Sequence, residues 1–218
     1  TDSGGTDQSN GAVYSRLWEL FHRTMNDAKK AEWIFFHLHC KTVGYHNDMY
    51  PPSAQGQARE VPVQDQVDEY EVIGPDGYGY PIYALKQNHK ALYGSLISEE
   101  DMAKAYDDGN PYINRDPRFY RDIIYHGSMF KGKWINTATG ADAINAANST
   151  STGYFTRKYF DGYYTKGMSG NWNFDAPLIR LATIYLVYAE AVTRSKGATP
   201  EVYNLMNELR ARSFMAPI

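Results

Sequence analysis

The helix predicted near the C-terminus constrains the fold more than any other segment of the chain. It begins at Pro177, because a proline at the first helical position lacks only an N–H that would have had no helical partner. From Leu178 to Val192, apolar residues recur at three- and four-residue spacing, and further apolar residues fill most of the remaining circumference. A helix that is apolar on so many sides cannot stand alone, so we expect other elements to cover it.

A second helix follows directly. Gly197 supplies the left-handed residue that ends the first helix, and Thr199 precedes Pro200 and Glu201 as a typical helix N-terminus. The second helix carries its apolar residues on one face, so residues 176–213 are predicted to form an αα-hairpin. Its length is close to that of a tetratricopeptide unit, which needs stacked neighbours to bury its core. No second copy of the hairpin occurs in the sequence.

Composition indicates a globular protein and argues against some partners. The chain has 218 residues, of which 43% are hydrophobic and 22% charged, which is enough for one domain or two small ones. A net charge of −3 without a run of lysines and arginines argues against nucleic-acid binding. The 19 tyrosines and 4 tryptophans are unusual, and tyrosine combines a flat apolar face with a polar tip. Such surfaces suit sugars and protein partners.

Upstream of the hairpin, the sequence predicts short elements separated by long loops. Apolar periodicity, capping residues and stretches rich in Gly and Pro define these elements. They are a helix from Ala12 to Lys30, a strand from Ala31 to Leu38, a surface loop from Gly44 to Pro62, a short helix from Val63 to Tyr70, a helix N-terminus at Ser98, and strands from Tyr120 to Phe130 and from Gly153 to Phe160.

No residue pattern supports a catalytic centre or a resident metal. Cys40 is the only cysteine, and together with His37, His39 and His46 it forms an incomplete set of zinc ligands. The sequence contains no nucleophile elbow, phosphate loop or dinucleotide-binding motif, and no apolar stretch reaches the length of a membrane span. We therefore predict no metal and no cofactor.

Glu190 lies within the apolar helix, where an unpaired charge would be unfavourable. One interpretation is a catalytic carboxylate, and the other is a structural ion pair with Arg210 or Arg212 of the following helix. We favour the ion pair, because the guanidinium group of arginine can satisfy a carboxylate through two parallel hydrogen bonds.

Several short motifs, taken in their order along the chain, resemble the SusD/RagB family of surface lipoproteins. Each motif is weak alone, but the ordered set is specific and extends from about Ala12 to Ser213. The motifs are Ala31–Glu32–Trp33–Ile34–Phe35, Asp68–Glu69–Tyr70–Glu71, Asp116–Pro117–Arg118–Phe119, Thr152–Gly153–Tyr154 with Arg157–Lys158–Tyr159, Pro177–Leu178–Ile179–Arg180–Leu181 with Tyr188–Ala189–Glu190–Ala191, and Asn207–Glu208–Leu209–Arg210–Ala211–Arg212.

The resemblance implies a SusD-like, tetratricopeptide-type helical scaffold, present here in part, that is mostly α with irregular loops and a few short strands. It implies a binder rather than an enzyme. Such a protein lies on the outer membrane, at the cell surface of a Gram-negative bacterium, captures oligosaccharide or polysaccharide, and passes it to a SusC-like TonB-dependent transporter. Contact with the membrane would be only through a lipid anchor that is not present in this chain, because Cys40 does not match the lipidated position.

The same resemblance implies a division of the chain. We expect residues 1–11 to be a linker or a cut end and residues 12–213 to be the SusD-like region. Within that region, residues 31–175 are the loop-rich part and residues 176–213 the αα-hairpin. Residues 214–218 are then a truncated end, and the chain is a fragment.

Aromatic side chains of the predicted loops are the candidate ligand-binding residues, because family members tend to bind glycan with loop aromatics and neighbouring polar groups. The stacking candidates are Tyr45, Tyr50, Tyr78, Tyr80, Trp134 and Trp172, and the polar candidates are Asn47 and Asp48. Two alternatives remain open. One is a peptide-capturing member of the same family, and the other is a helical-repeat scaffold that docks another protein and binds no small molecule.

Overall fold

The structure is a computed structural model that describes residues 31–41, 48–82, 98–158 and 173–218. In this part the protein is helix-rich with short strands and irregular loops, which confirms the predicted fold class. The helix predicted for Ala12 to Lys30 lies outside the described residues.

The helices are α1 (Gln64–Asp68), α2 (Glu99–Ala105), α3 (Pro117–Asp122), α4 (Leu181–Lys196) and α5 (Pro200–Arg212). The strands are β1 (Trp33–Lys41), β2 (Val72–Ile73), β3 (Gly79–Tyr80), β4 (Ile123–Ile124), β5 (Met129–Phe130), β6 (Lys133–Trp134), β7 (Phe155–Thr156) and β8 (Asn173–Arg180).

The chain divides into two compact units, each built from segments that are distant in sequence. The first unit comprises Thr1–Val63 and Arg121–Val187, and the second comprises Gln64–Tyr120 and Tyr188–Ile218. Each unit therefore brings together residues that no local sequence pattern relates.

In the first unit, β1 and β8 form an antiparallel ribbon in which Phe35 pairs with Ile179. This ribbon corrects the predicted start of the terminal helix, because Pro177 lies within β8 and α4 begins only at Leu181. Proline has no N–H to donate, and a strand at the edge of a sheet tolerates that loss. Pairing with a distant strand therefore overrides the local helix signal.

The hydrophobic core of the first unit forms around two fully buried aromatic rings. Tyr50 and Phe130 meet edge to face, with ring centroids 5.2 Å apart. The segment from Gly44 to Pro62, expected to be a surface loop, therefore supplies part of the core where it is described. The remaining core members are Met49, Ala58, Ile124, Ile135 and Phe155.

The segment predicted as a strand from Tyr120 to Phe130 begins instead as the end of helix α3. Asp116 precedes this helix: its carbonyl oxygen accepts the N–H of Phe119 (2.8 Å), and its carboxylate accepts the N–H of Arg118 (2.8 Å). Pro117 fits the first helical position. Capping at Asp116 therefore favours a helix over the predicted strand at the start of this segment. The strands that follow, β4 and β5, contain only two residues each.

A buried arginine joins several segments of the second unit. The guanidinium group of Arg115 donates to the carbonyl oxygens of Val67 (2.6 Å), Tyr70 (3.0 Å) and Pro111 (3.0 Å). The same group lies 4.7 Å from the ring centroid of Phe119. Burial of a charged group requires such hydrogen-bond partners, and the aromatic face adds a cation–π contact.

The terminal helices confirm the predicted capping. Gly197 has a φ of 82° at the end of α4, and the side chain of Thr199 accepts the N–H of Val202 at the start of α5 (3.4 Å). We expected other elements to cover α4, but of its residues, all of which the structure describes, only Ala182 and Ala189 are buried. The larger apolar side chains that remain exposed on this helix are Ile184, Leu186, Val187 and Tyr188.

The predicted ion pair between Glu190 and Arg210 or Arg212 is wrong. Glu190 pairs with Arg194 one turn later on the same helix (2.7 Å), and both side chains are exposed. Arg210 is buried and pairs instead with Glu71 (3.0 Å). Because α4 turns Glu190 towards solvent, its carboxylate does not need a partner from α5.

These two ion pairs predict unequal effects of the same substitution. Glu71→Gln should lower the free energy of unfolding by about 1–3 kcal/mol, because it weakens the partner of a buried guanidinium group. Glu190→Gln should change it by about 0.5 kcal/mol or less, because exposed pairs one helical turn apart contribute little. Urea unfolding followed by circular dichroism measures both values, and equal losses would contradict the assignment.

Candidate functional site

Trp134 is the most exposed aromatic side chain among the candidates that the structure describes. It ends the hairpin of β5 and β6, whose two-residue turn, Lys131–Gly132, has positive φ at both positions (50° and 72°), as a type I′ turn requires. In this hairpin Phe130 pairs with Lys133, and Met129 pairs with Trp134. Because cross-strand partners share a face, buried Phe130 places Trp134 on the opposite, outer face. The side chain of Trp134 is 69% exposed.

The hairpin contacts the segment around Ser53 and Tyr50 through its two lysines, Lys133 and Lys131. The ammonium group of Lys133 donates to the carbonyl oxygen of Ser53 (2.9 Å). The N–H of Ser53 in turn donates to the buried carboxylate of Asp142 (2.8 Å). At the turn, the ammonium group of Lys131 lies 5.3 Å from the ring centroid of Tyr50. The inner face of the hairpin is therefore held at both the turn and the second strand.

The backbone next to Trp134 is open. The N–H of Gly127 donates to the carbonyl oxygen of Ile135 (2.8 Å), and within the described part of the chain no heavy atom beyond its two neighbours lies within 4 Å of the position that a Cβ at Gly127 would occupy. Asn136 is exposed, and its side-chain oxygen accepts two backbone N–H groups of the turn that follows. The exposure of the indole ring itself, at 69%, is therefore what leaves it available to a ligand.

Tyr78 is an exposed aromatic residue of the second unit. It lies in the turn between β2 and β3, where Val72 pairs with Tyr80. Asp76 organises the turn: its carboxylate accepts the N–H of Tyr78 (3.0 Å) and the hydroxyl of Tyr80 (2.5 Å). These bonds hold Tyr80 inward, whereas the side chain of Tyr78 is 50% exposed.

The contact between Asp76 and Tyr80 shifts the pKa of both groups. The hydroxyl of Tyr80 and then the N–H of Tyr78 stabilise the charged carboxylate, which lowers the pKa of Asp76. Burial and then the hydrogen bond to Asp76 raise the pKa of Tyr80 to about 12.

Two of the predicted stacking residues do not occupy a binding surface. Tyr50 is fully buried in the core of the first unit, and Tyr80 is 9% exposed. Asp48 directly precedes the core residue Met49 in the chain, and its carboxylate pairs with Arg59 (3.3 Å). Tyr45, Asn47 and Trp172 lie outside the described residues. Trp134 and Tyr78 remain candidates for ligand stacking, one in each unit.

Comparison with known proteins decides the family. The model of the SusD family matches residues 24–218, which is most of the chain. The chain belongs to the SusD family. The resemblance to this family, which the order of short motifs indicated, is therefore confirmed.

Solved SusD-like structures share the fold. A SusD-like carbohydrate-binding protein from Bacteroides fragilis is 22% identical, with a TM-score of 0.68 over 93% of this chain and 38% of its own. A second SusD-like protein from the same species is 23% identical, with a TM-score of 0.61 over 96% of this chain and 40% of its own. The chain thus spans about two fifths of the length of these structures. A search of the curated proteins found no match.

Sequence reasoning missed the residues that support Trp134 in this SusD-family chain. Gly132 between two lysines indicates a turn, but this pattern does not indicate what Lys133 binds. Ser53 precedes Lys133 by 80 positions and Asp142 by 89 positions. No local pattern relates them, so only the folded structure identifies these contacts.

The described part of the SusD-family chain contains neither a cluster of metal ligands nor a membrane-spanning helix. Among those residues, no group of three or more His, Cys, Asp or Glu side chains is placed to hold a metal ion. Over the same residues, no helix combines the length and apolarity needed to cross a membrane.

The raised pKa of Tyr80 predicts a loss of stability at high pH. The ordinary pKa near 10 rises to about 12 in the folded protein, so Tyr80 contributes fully below about pH 10, and the contribution is lost as the pH rises to about 12. Urea unfolding of the wild type and of Tyr80→Phe from pH 8 to 12 tests this. The wild type should lose stability relative to the variant between pH 10 and 12, and a constant difference would contradict the assignment.

Proposed function

We propose that this chain is part of a glycan-binding protein and that Trp134 is the main stacking platform. The observation that carries the proposal is the 69% exposure of the indole ring on a hairpin whose other face is anchored in the core. Tryptophan combines a large flat apolar face with a polar N–H, which suits a ligand that is apolar on its face and polar at its edge. The C–H faces of a sugar ring pack well against such a ring, while sugar hydroxyls remain in water.

Membership of the SusD family supports a carbohydrate ligand over other flat molecules. One structural relative of the chain is a SusD-like carbohydrate-binding protein, and its fold corresponds to 93% of this chain. The tyrosine-rich composition fits the same ligand class, because tyrosine offers both an apolar face and a hydroxyl for hydrogen bonding. We therefore place oligosaccharide or polysaccharide ahead of peptide.

Tyr78 is the second proposed platform, and it belongs to the other unit. Its backbone is fixed by Asp76, while its ring is half exposed. Each platform is proposed as a separate stacking position within its own unit. We propose that Tyr78 contributes less than Trp134, because less of the ring is exposed.

We further propose that the complete protein acts at the cell surface, without chemistry of its own. The SusD family is a family of Bacteroidetes cell-surface lipoproteins. In this proposal the protein is held at the outer membrane by a lipid anchor, captures glycan, and passes it to a SusC-like TonB-dependent transporter. Binding by stacking suits this task, because it retains the ligand without altering a bond.

Affinity electrophoresis against soluble barley β-glucan, xyloglucan, arabinoxylan and galactomannan tests the proposal. At least one polysaccharide should slow the migration of the wild type. Trp134→Ala should weaken that interaction at least about tenfold, which corresponds to about 1.4 kcal/mol. Tyr78→Ala should weaken it by a smaller factor.

Tyr203→Ala is the matched control, because Tyr203 is an aromatic residue that is 43% exposed on helix α5, away from both turns in sequence. It should bind as the wild type does. Equal binding by Trp134→Ala and Tyr203→Ala would contradict the role of Trp134. If no polysaccharide slows the wild type, the carbohydrate assignment itself fails.

A further inference from the structure

We infer that Lys133 and Asp142 are positioning residues for the Trp134 platform, because they hold Ser53 from both sides and so fix the hairpin that presents the indole ring. This inference rests on the proposed glycan-binding role of Trp134. Both residues act through Ser53 rather than through a contact with sugar.

Ser53 is the point at which the two contacts meet. Its carbonyl oxygen accepts the ammonium group of Lys133 (2.9 Å), and its N–H donates to the carboxylate of Asp142 (2.8 Å). The positive ammonium group of Lys133 meets a carbonyl oxygen, and the negative carboxylate of Asp142 meets an N–H. Such charge-assisted hydrogen bonds are stronger than neutral ones. Ser53 lies in the short helix Pro52–Ala54, close in sequence to the buried ring of Tyr50. These two hydrogen bonds, from Lys133 to Ser53 and from Ser53 to Asp142, are called the clamp. The clamp connects the hairpin to the segment that supplies Tyr50 to the core of the first unit.

The register of the hairpin separates an anchoring face from a presenting face. Phe130 and Lys133 are cross-strand partners, and they hold the inner face through the core and through Ser53. Met129 and Trp134 are the other pair and lie on the outer face. A contact made by Lys133 therefore determines the orientation of the residue that follows it without occupying the ligand face.

A hairpin this short needs external anchors. Strands β5 and β6 contain two residues each, and an isolated two-stranded hairpin is marginally stable in water. Phe130 anchors one strand in the core, Ile135 anchors the residue that follows the other strand, and Lys133 links that second strand to the short helix at Ser53. Without the ammonium group, β6 would sample more orientations in the unbound protein.

Such freedom would lower affinity for glycan. Binding would have to order the hairpin as well as the ligand, and ordering a mobile side chain opposes binding by an amount equivalent to about three- to tenfold in affinity. Global stability should change little, because Lys133 is exposed and its contact involves one hydrogen bond. Local mobility and stability are therefore separable measurements.

Hydrogen exchange measured by mass spectrometry tests the clamp without any ligand. Lys133→Met keeps the aliphatic stem but removes the donor, and it should speed exchange in the peptide covering residues 127–137 at least about threefold. Lys133→Arg restores a donor and should exchange as the wild type does. Asp142→Ala removes a buried acceptor and should also speed exchange in this peptide, whereas Asp142→Asn keeps an acceptor oxygen and should have a smaller effect. Exchange should stay unchanged in peptides of the second unit.

The same variants are then compared by affinity electrophoresis in barley β-glucan, xyloglucan, arabinoxylan and galactomannan. Lys133→Met should bind about three- to tenfold more weakly than Lys133→Arg at an unchanged melting temperature. If Trp134→Ala abolishes binding while Lys133→Met changes neither exchange nor affinity, the positioning role is overturned and the proposed function stands. If Trp134→Ala binds normally, the proposed function fails, and the inference fails with it. A rise in exchange across the whole chain would also overturn the inference, because it would show general destabilisation.

Discussion

Burial of Phe130 against Tyr50 determines what the first unit presents to solvent. Side chains alternate between the two faces of a strand, so a buried Phe130 brings its partner Lys133 to the same side and leaves Met129 and Trp134 on the other. A shift of one residue in the register would reverse the two faces and place the tryptophan in the core. The exposure of Trp134 is therefore a consequence of core packing and not of loop flexibility.

The sequence predicted the features that depend on nearby residues. The end of α4 at Gly197 and the cap of α5 at Thr199 are both present, because the groups that satisfy a helix terminus lie within one turn of it. The cap at Ser98 is present for the same reason, since its hydroxyl accepts the N–H of Asp101 (3.1 Å). Helix α1 lies within the predicted segment from Val63 to Tyr70. The family followed from the order of short motifs, none of which was sufficient alone.

The features that the sequence could not predict depend on partners far along the chain. Pro177 reads as a helix start, but pairing of β8 with β1 makes it part of a strand. Tyr50 reads as a loop tyrosine, but it packs against a phenylalanine from a later hairpin. Glu190 reads as a charge in need of Arg210, but Glu71 is the partner of that arginine. In the candidate site, loop position named Trp134 and Tyr78 as stacking candidates, but their exposure and the contacts of Ser53 required the folded structure.

The most direct test of the central claim is the oxidation of Trp134 by N-bromosuccinimide, with and without a polysaccharide that slows the protein in affinity electrophoresis. Peptide mapping by mass spectrometry follows each tryptophan separately. If the indole stacks on a sugar ring, Trp134 should be oxidised rapidly in the free protein and be protected by the polysaccharide. Oxidation of Trp134 at the same rate in both samples, while the polysaccharide is bound, would contradict the account.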